Sequence, residues 1–212
     1  MTVLLMLLMA SELLGRFAHE WIGTAMFTLF IMHHILNRRW TKNLFRGRYT
    51  PYRVLQTVSA ALVFFAMCCS LAGALIMSRH VFAFLPIQGG RSFGRVAHLI
   101  GAYWGFVLMA FHLGIHWNGM MAMGRKALKP SPLRARVLRI LVGAISLYGV
   151  YAFFARSIPE YMFLRTRFVF FDYEEPLLFF FRDYLAVMVL FVWIGFYAAR
   201  AAQRAGRGQR RQ

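Results

Sequence analysis

The sequence predicts an all-α integral membrane helical bundle, with five full transmembrane helices and a shortened N-terminal first helix. Three observations lead there. Of 212 residues, 60% are hydrophobic, against roughly 45–50% in a soluble domain, and the mean hydropathy is +0.55. Five stretches, at about 17–37, 55–77, 95–121, 137–154 and 176–199, meet or approach the roughly 20 mostly apolar residues that a spanning helix needs. The excess of cations falls in alternate loops, as it does when a chain crosses a membrane repeatedly.

Taken in order, the first apolar run covers residues 3–14. At about 12 residues it makes about 18 Å of helix, too short to cross alone. It lacks the charged leading region of a signal peptide and reads as the outer part of a first helix whose beginning is missing. The helix at 17–37 carries His19, His33 and His34 and leads into a basic segment with Arg38, Arg39, Lys42, Arg46, Arg48 and Arg53. The helix at 55–77 holds the adjacent Cys68 and Cys69, expected as small buried residues; two neighbouring cysteines make no disulfide framework. A short loop, 78–94, contains His80, a loop histidine, and ends near Gly89-Gly90.

The helix at 95–121 carries His98, His112 and His116. Arg125, Lys126, Lys129, Arg134, Arg136 and Arg139 follow it. After the span at 137–154 comes an aromatic segment, 156–175, with Phe163, Phe168, Phe170, Phe171 and Tyr173. Such a segment lies in the membrane interface or, as the sharper alternative, forms a lid. The last span runs into a tail with Arg200, Arg204, Arg207, Arg210 and Arg211. The whole chain, 1–212, reads as one transmembrane domain. Its histidines fall within about 1–120, accessory helices occupy about 134–201, and a basic tail covers 200–212.

The formal net charge is +18, from 25 Lys and Arg against 7 Asp and Glu. The three basic segments named above hold 17 of those cations and no acid. The positive-inside rule makes them cytoplasmic, with the C-terminus. The charge is thus an orientation signal, and nucleic acid is not an expected partner. Disorder is excluded by the hydrophobicity. No CxxC or CxxCH motif occurs, which excludes a zinc ribbon and covalently attached c-type haem.

The histidines carry the chemistry. Ionisable residues inside a membrane are costly and mark function, and here their spacing repeats. His19 and His33 are 14 residues apart, as are His98 and His112. On a helix 14 steps return to within about 40° of the starting face and rise about 21 Å. One span separates the two helices, so they run parallel. His19 is then level with His98, and His33 with His112. Two stacked bis-histidine sites result, each suited to a porphyrin with one axial imidazole from each helix. His34 and His116 stay open as inner ligands; the matched spacing favours His33 with His112. Gly23, Gly101 and Gly105 lie near the histidines, where a missing side chain admits a flat macrocycle or simply packs helices. Glu20 reads as a cap-like acid. Trp104 is either a neighbour of the site or a lipid-facing residue.

The stretches His19-Glu-Trp-Ile-Gly23, His33-His-Ile-Leu-Asn-Arg-Arg-Trp40, Phe45-Arg-Gly-Arg-Tyr-Thr-Pro51, Ser78-Arg-His-Val-Phe-Ala-Phe84 and the run from His98 through Tyr103-Trp-Gly105 to His112 and His116 resemble the flavinylation-associated cytochrome family of bacterial membrane proteins. The resemblance covers about residues 1–120. It implies a diheme b-type cytochrome of the bacterial cytoplasmic membrane, associated with an extracytosolic flavin-carrying protein. It implies His19, His33, His98 and His112 as iron ligands, with His34, His80 and His116 as further motif histidines. Family members begin with a full-length first helix.

The expected function is electron transfer through two b haems, between the quinone pool and an extracytosolic flavoprotein or cytochrome. That makes the chain an electron carrier or oxidoreductase subunit rather than a stand-alone enzyme. Two alternatives of other classes stand beside it: a histidine-based transition-metal or small-solute transporter, and a non-catalytic membrane anchor subunit.

Overall fold

The computed structural model describes residues 1–124 and 131–208. The cations Arg125, Lys126, Lys129, Arg210 and Arg211 lie outside the described residues. Nine helices and no strand occur among the described residues. They are α1 (Thr2–Met9), α2 (Ser11–Leu14), α3 (Arg16–Leu36), α4 (Arg38–Lys42), α5 (Pro51–Met77), α6 (Arg91–Gly124), α7 (Pro132–Ala155), α8 (Ile158–Met162) and α9 (Leu177–Gly208).

Four of these, α5, α6, α7 and α9, are long and apolar enough to cross a membrane. Their exposed faces carry large apolar residues such as Phe65, Ile140, Leu147 and Leu178, which water would penalise and lipid accepts. The fifth expected span, α3, has 21 residues, enough for about 31 Å. It is less apolar because Arg16, His19, Glu20, His33, His34 and two threonines interrupt it. The run at 3–14 is not one helix. It breaks at Ala10, which leaves helical geometry at φ −90° and ψ 33°. Gly15 then turns the chain into α3 at φ +78°, a conformation only glycine adopts without strain. The α6 helix starts four residues earlier than expected, directly after Gly89 and Gly90, both of which have positive φ.

The chain divides into two compact units. The first comprises Met1–Arg48, Phe64–Gly105 and Pro159–Phe181. In it α1 and α2 pack on α3, burying Leu5, Met9 and Ala10, and Gly23 faces α1, where Leu8 is its near neighbour. The aromatic segment is anchored here: Trp104 Nε1 donates to the Met162 carbonyl at 2.9 Å. The Tyr103 and Tyr161 rings meet at 4.9 Å. The Arg95 guanidinium lies over the Phe168 ring. Trp104 thus pins the segment to α6. Cys68 is exposed and Cys69 half-buried, so Cys68 is not the core residue expected; the buried face of α5 here is Ala66 and Met67.

The second unit comprises Tyr49–Val63, Phe106–Ile158 and Arg182–Gln212. Its helices approach closely at glycines. A Cβ at Gly114 would strike the Val192 carbonyl, and one at Gly149 the Ala186 carbonyl. Asp183, buried in this apolar setting, is fully partnered: it accepts from Tyr148 Oη at 2.6 Å and from Arg182 Nε at 2.9 Å, and it pairs with Arg156 Nη2 at 2.8 Å. These bonds tie α7 to α9 and offset the cost of a buried carboxylate.

Candidate histidine site

The first unit brings His19 of α3 and His98 of α6 together, as the sequence spacing requires. Their ring centroids are 5.8 Å apart and the planes are 76° from parallel. Two features fix His98. Gly101, one turn on, lies against α5: a Cβ there would run into Ser70 N and sit 2.7 Å from the Ala66 carbonyl. That close approach delivers Ser70 to His98. His98 Nδ1 lies 2.9 Å from the Ser70 carbonyl oxygen and 3.4 Å from its hydroxyl. A carbonyl only accepts, so Nδ1 carries the proton and the Nε2 lone pair remains available. His19 differs: its Nδ1 is buried without a hydrogen-bond partner. Such an orphaned polar atom costs about 1–3 kcal/mol unless something satisfies it.

Glu20, the neighbour of His19, has a definite structural task. Its carboxylate accepts from the Ser78 hydroxyl at 2.8 Å and from the backbone N–H groups of Arg79, His80 and Val81, each at 3.0 Å. It caps the turn after α5 rather than its own helix. The exposed His80 meets Phe17 edge-on at 5.5 Å. Gly105 sits only in ordinary contact range of Ala66.

His33 and His34 end α3 in the same unit. His34 packs against Phe30, with centroids 4.5 Å apart, and Phe64, at 5.5 Å. His33 is exposed beside it. Adjacent residues on a helix point about 100° apart, and here the apolar niche belongs to His34.

In the second unit, His112 Nδ1 lies 3.1 Å from the hydroxyl of Ser59 on α5. Ser59 is buried, and its own hydroxyl donates to the Gln56 carbonyl at 3.0 Å. The exposed His116 stacks on His112 at 4.7 Å, one turn further along α6. His33 and His112 belong to different units.

The sequence reading named the histidines but missed Ser59 and Ser70. Serines on a long apolar helix are a signal only in hindsight: each hydroxyl needs a partner, and a histidine on a neighbouring helix supplies one. Compared with known proteins, the chain matches no family model, no curated protein and no solved structure.

Proposed function

We propose that the chain is a membrane electron carrier that holds two b-type haems between α3 and α6. The single observation that carries this reading is the His19–His98 pair at 5.8 Å. A metal–imidazole bond of about 2 Å on each side of one iron gives ring centroids about 6 Å apart, so the pair suits bis-histidine ligation. The orphaned His19 Nδ1 and the available Nε2 of His98 support the fit. The second ligand pair in this reading is His33 with His112, from their 14-residue offsets. His34 is the less suitable inner ligand because Phe30 and Phe64 already enclose it. Haem, when bound, supplies a one-electron iron couple.

In this reading α3 joins the four apolar helices as a fifth span. The basic segments lie in the cytoplasm of a bacterium and the His19–His98 site toward the outside. The protein's own contribution is to fix the imidazoles, exclude water from the ligand helices and set the dielectric around them. Haem held by His19 with His98 and by His33 with His112 would supply a one-electron relay for a membrane hydroquinone, whose oxidation releases two electrons and two protons. The outer partner in this reading is a flavin-carrying protein or a cytochrome, as electron acceptor or, with the flow reversed, as donor.

The test is optical. Full-length protein purified in mild detergent from haem-supplied cells should show a b-type α band in the reduced-minus-oxidised spectrum. The pyridine haemochrome should give two haems per chain. Absence of the band sinks the cytochrome reading, and one haem per chain sinks the two-site version.

A further inference from the structure

Toward its C-terminal end α9 sorts its residues onto two faces. At about 100° per residue, Gly195, Ala199 and Gly206 fall together. That face is packed: a Cβ at Gly195 would strike the Phe111 carbonyl, Ala199 is fully buried, and a Cβ at Gly206 would lie 3.6 Å from Pro51. Trp193, Tyr197, Arg200, Ala201 and Arg204 fall on the opposite face. Trp193 and Tyr197 are 38% and 42% exposed, and the other three are exposed as well. Tyr197, Arg200, Ala201 and Arg204 line an open groove of about 320 Å³, at the lower end of the range of small-ligand sites. Along this face the order is aromatic, then basic. The Trp193 and Tyr197 rings meet at 4.9 Å, the kind of pair that sits at the headgroup level of a membrane. The two guanidiniums follow within about 10 Å of helix. The Arg200 guanidinium lies 5.6 Å from the Phe196 centroid and 6.0 Å from that of Tyr197, close enough for cation–π attraction to restrain it.

Among the described residues no carboxylate meets Arg200 or Arg204. The one acid of α9, Asp183, stands about 25 Å away along the helix and is already held by Tyr148, Arg156 and Arg182. A topology signal needs only positive charge on one side of the membrane. It does not need two guanidiniums on a shared face, one turn apart, next to an aromatic pair. We propose that this groove binds the phosphate of an anionic phospholipid headgroup, with Arg200 and Arg204 on the phosphate and Tyr197 and Trp193 beside the start of the acyl chains. The guanidinium fork matches phosphate oxygens. A choline or ethanolamine headgroup would bring its own cation beside the two arginines, whereas a glycerol headgroup brings none. The site requires α9 to be a membrane span and involves no haem.

The test titrates the full-length protein in mild detergent with phosphatidylglycerol or phosphatidylcholine and counts retained lipid by native mass spectrometry. Phosphatidylglycerol should bind about tenfold more tightly than phosphatidylcholine. Arg200→Gln combined with Arg204→Gln should lose that advantage, about tenfold. Arg38→Gln combined with Arg39→Gln removes the same charge from α4, where adjacent residues point about 100° apart, and should keep the wild-type preference. Arg200→Lys combined with Arg204→Lys keeps the charge without the fork and should retain only part of the affinity. Phosphatidylglycerol should also raise the thermal unfolding temperature of the wild type and not of the double glutamine variant, a readout within each protein that holds even if the variant is less stable. Equal binding of the two lipids, an equal loss in the α4 variant, or wild-type affinity in the lysine variant overturns the proposal. Displacement of the lipid by inorganic phosphate at equal concentration also overturns it and makes the groove a site for free phosphate. Because no step reads haem, the outcome is independent of whether the chain carries electrons.

Discussion

The α6 helix carries its two principal histidines in unlike surroundings. Around His98, in the first unit, the site is closed at short range: α5 touches α6 at Gly101, Ser70 holds Nδ1 through its carbonyl, and His19 meets the ring at 5.8 Å. Around His112, in the second unit, the ring meets the Ser59 hydroxyl at 3.1 Å and the His116 ring at 4.7 Å. A 14-residue repeat in sequence is therefore not a repeat of environment. The same residue type at the same helical phase meets a backbone carbonyl at one end and a serine hydroxyl at the other.

The largest expected effect that would break this contrast comes from the ligands themselves. His98→Ala should remove one haem of two, measured as haem per chain, and His112→Ala should do the same. Retention of both haems in His98→Ala would remove the first site. Next comes Gly101→Val. The α5 backbone has no room for the new side chain, so the helices must part, at a cost of about 1–3 kcal/mol or more. Thermal unfolding in detergent should fall and the His98-side haem should be lost with it; wild-type stability would show that close packing at Gly101 is dispensable.

Glu20→Gln comes third. It replaces a charged acceptor of four donors by a neutral amide, at about 1–3 kcal/mol. Faster hydrogen exchange at the Arg79, His80 and Val81 amides is the readout. The smallest effects sharpen the comparison from the other side. Gly105→Ala, with only ordinary contact to Ala66, should stay within about 0.5 kcal/mol of wild type. His116→Ala should keep both haems; loss of one would make His116 the ligand in place of His112.

Much of this was legible in the sequence, for reasons that differ by residue. The helical character and four of the spans follow from long apolar runs, which nothing but lipid or a large core tolerates. The meeting of His19 and His98 follows from helical period and alternating direction. The break at Ala10 was not legible, since alanine is a strong helix former and the flanking run is uniformly apolar. The roles of Ser59 and Ser70 were hidden because their partners lie 53 and 28 residues away. Gly101 was read with Gly23 and Gly105 as one class, and only the backbone geometry separates them: α5 fills the space at Gly101, Leu8 stands opposite Gly23, and Gly105 has ordinary clearance.

The Glu20 clamp has a consequence for how the protein is made. Its partners lie 58 to 61 residues later in the chain, a delay of about 3–12 s at ribosomal speeds of roughly 5–20 residues per second. Throughout that interval α3 carries a carboxylate with none of its final donors, which hydrocarbon strongly disfavours. With α3 as the fifth span proposed above, the end that bears Glu20 and His19 waits at the water boundary until α5 has emerged and delivered the turn at Ser78. The clamp thus sets an order of assembly, in which His19 settles into place only after the helix that carries Ser70 has been inserted.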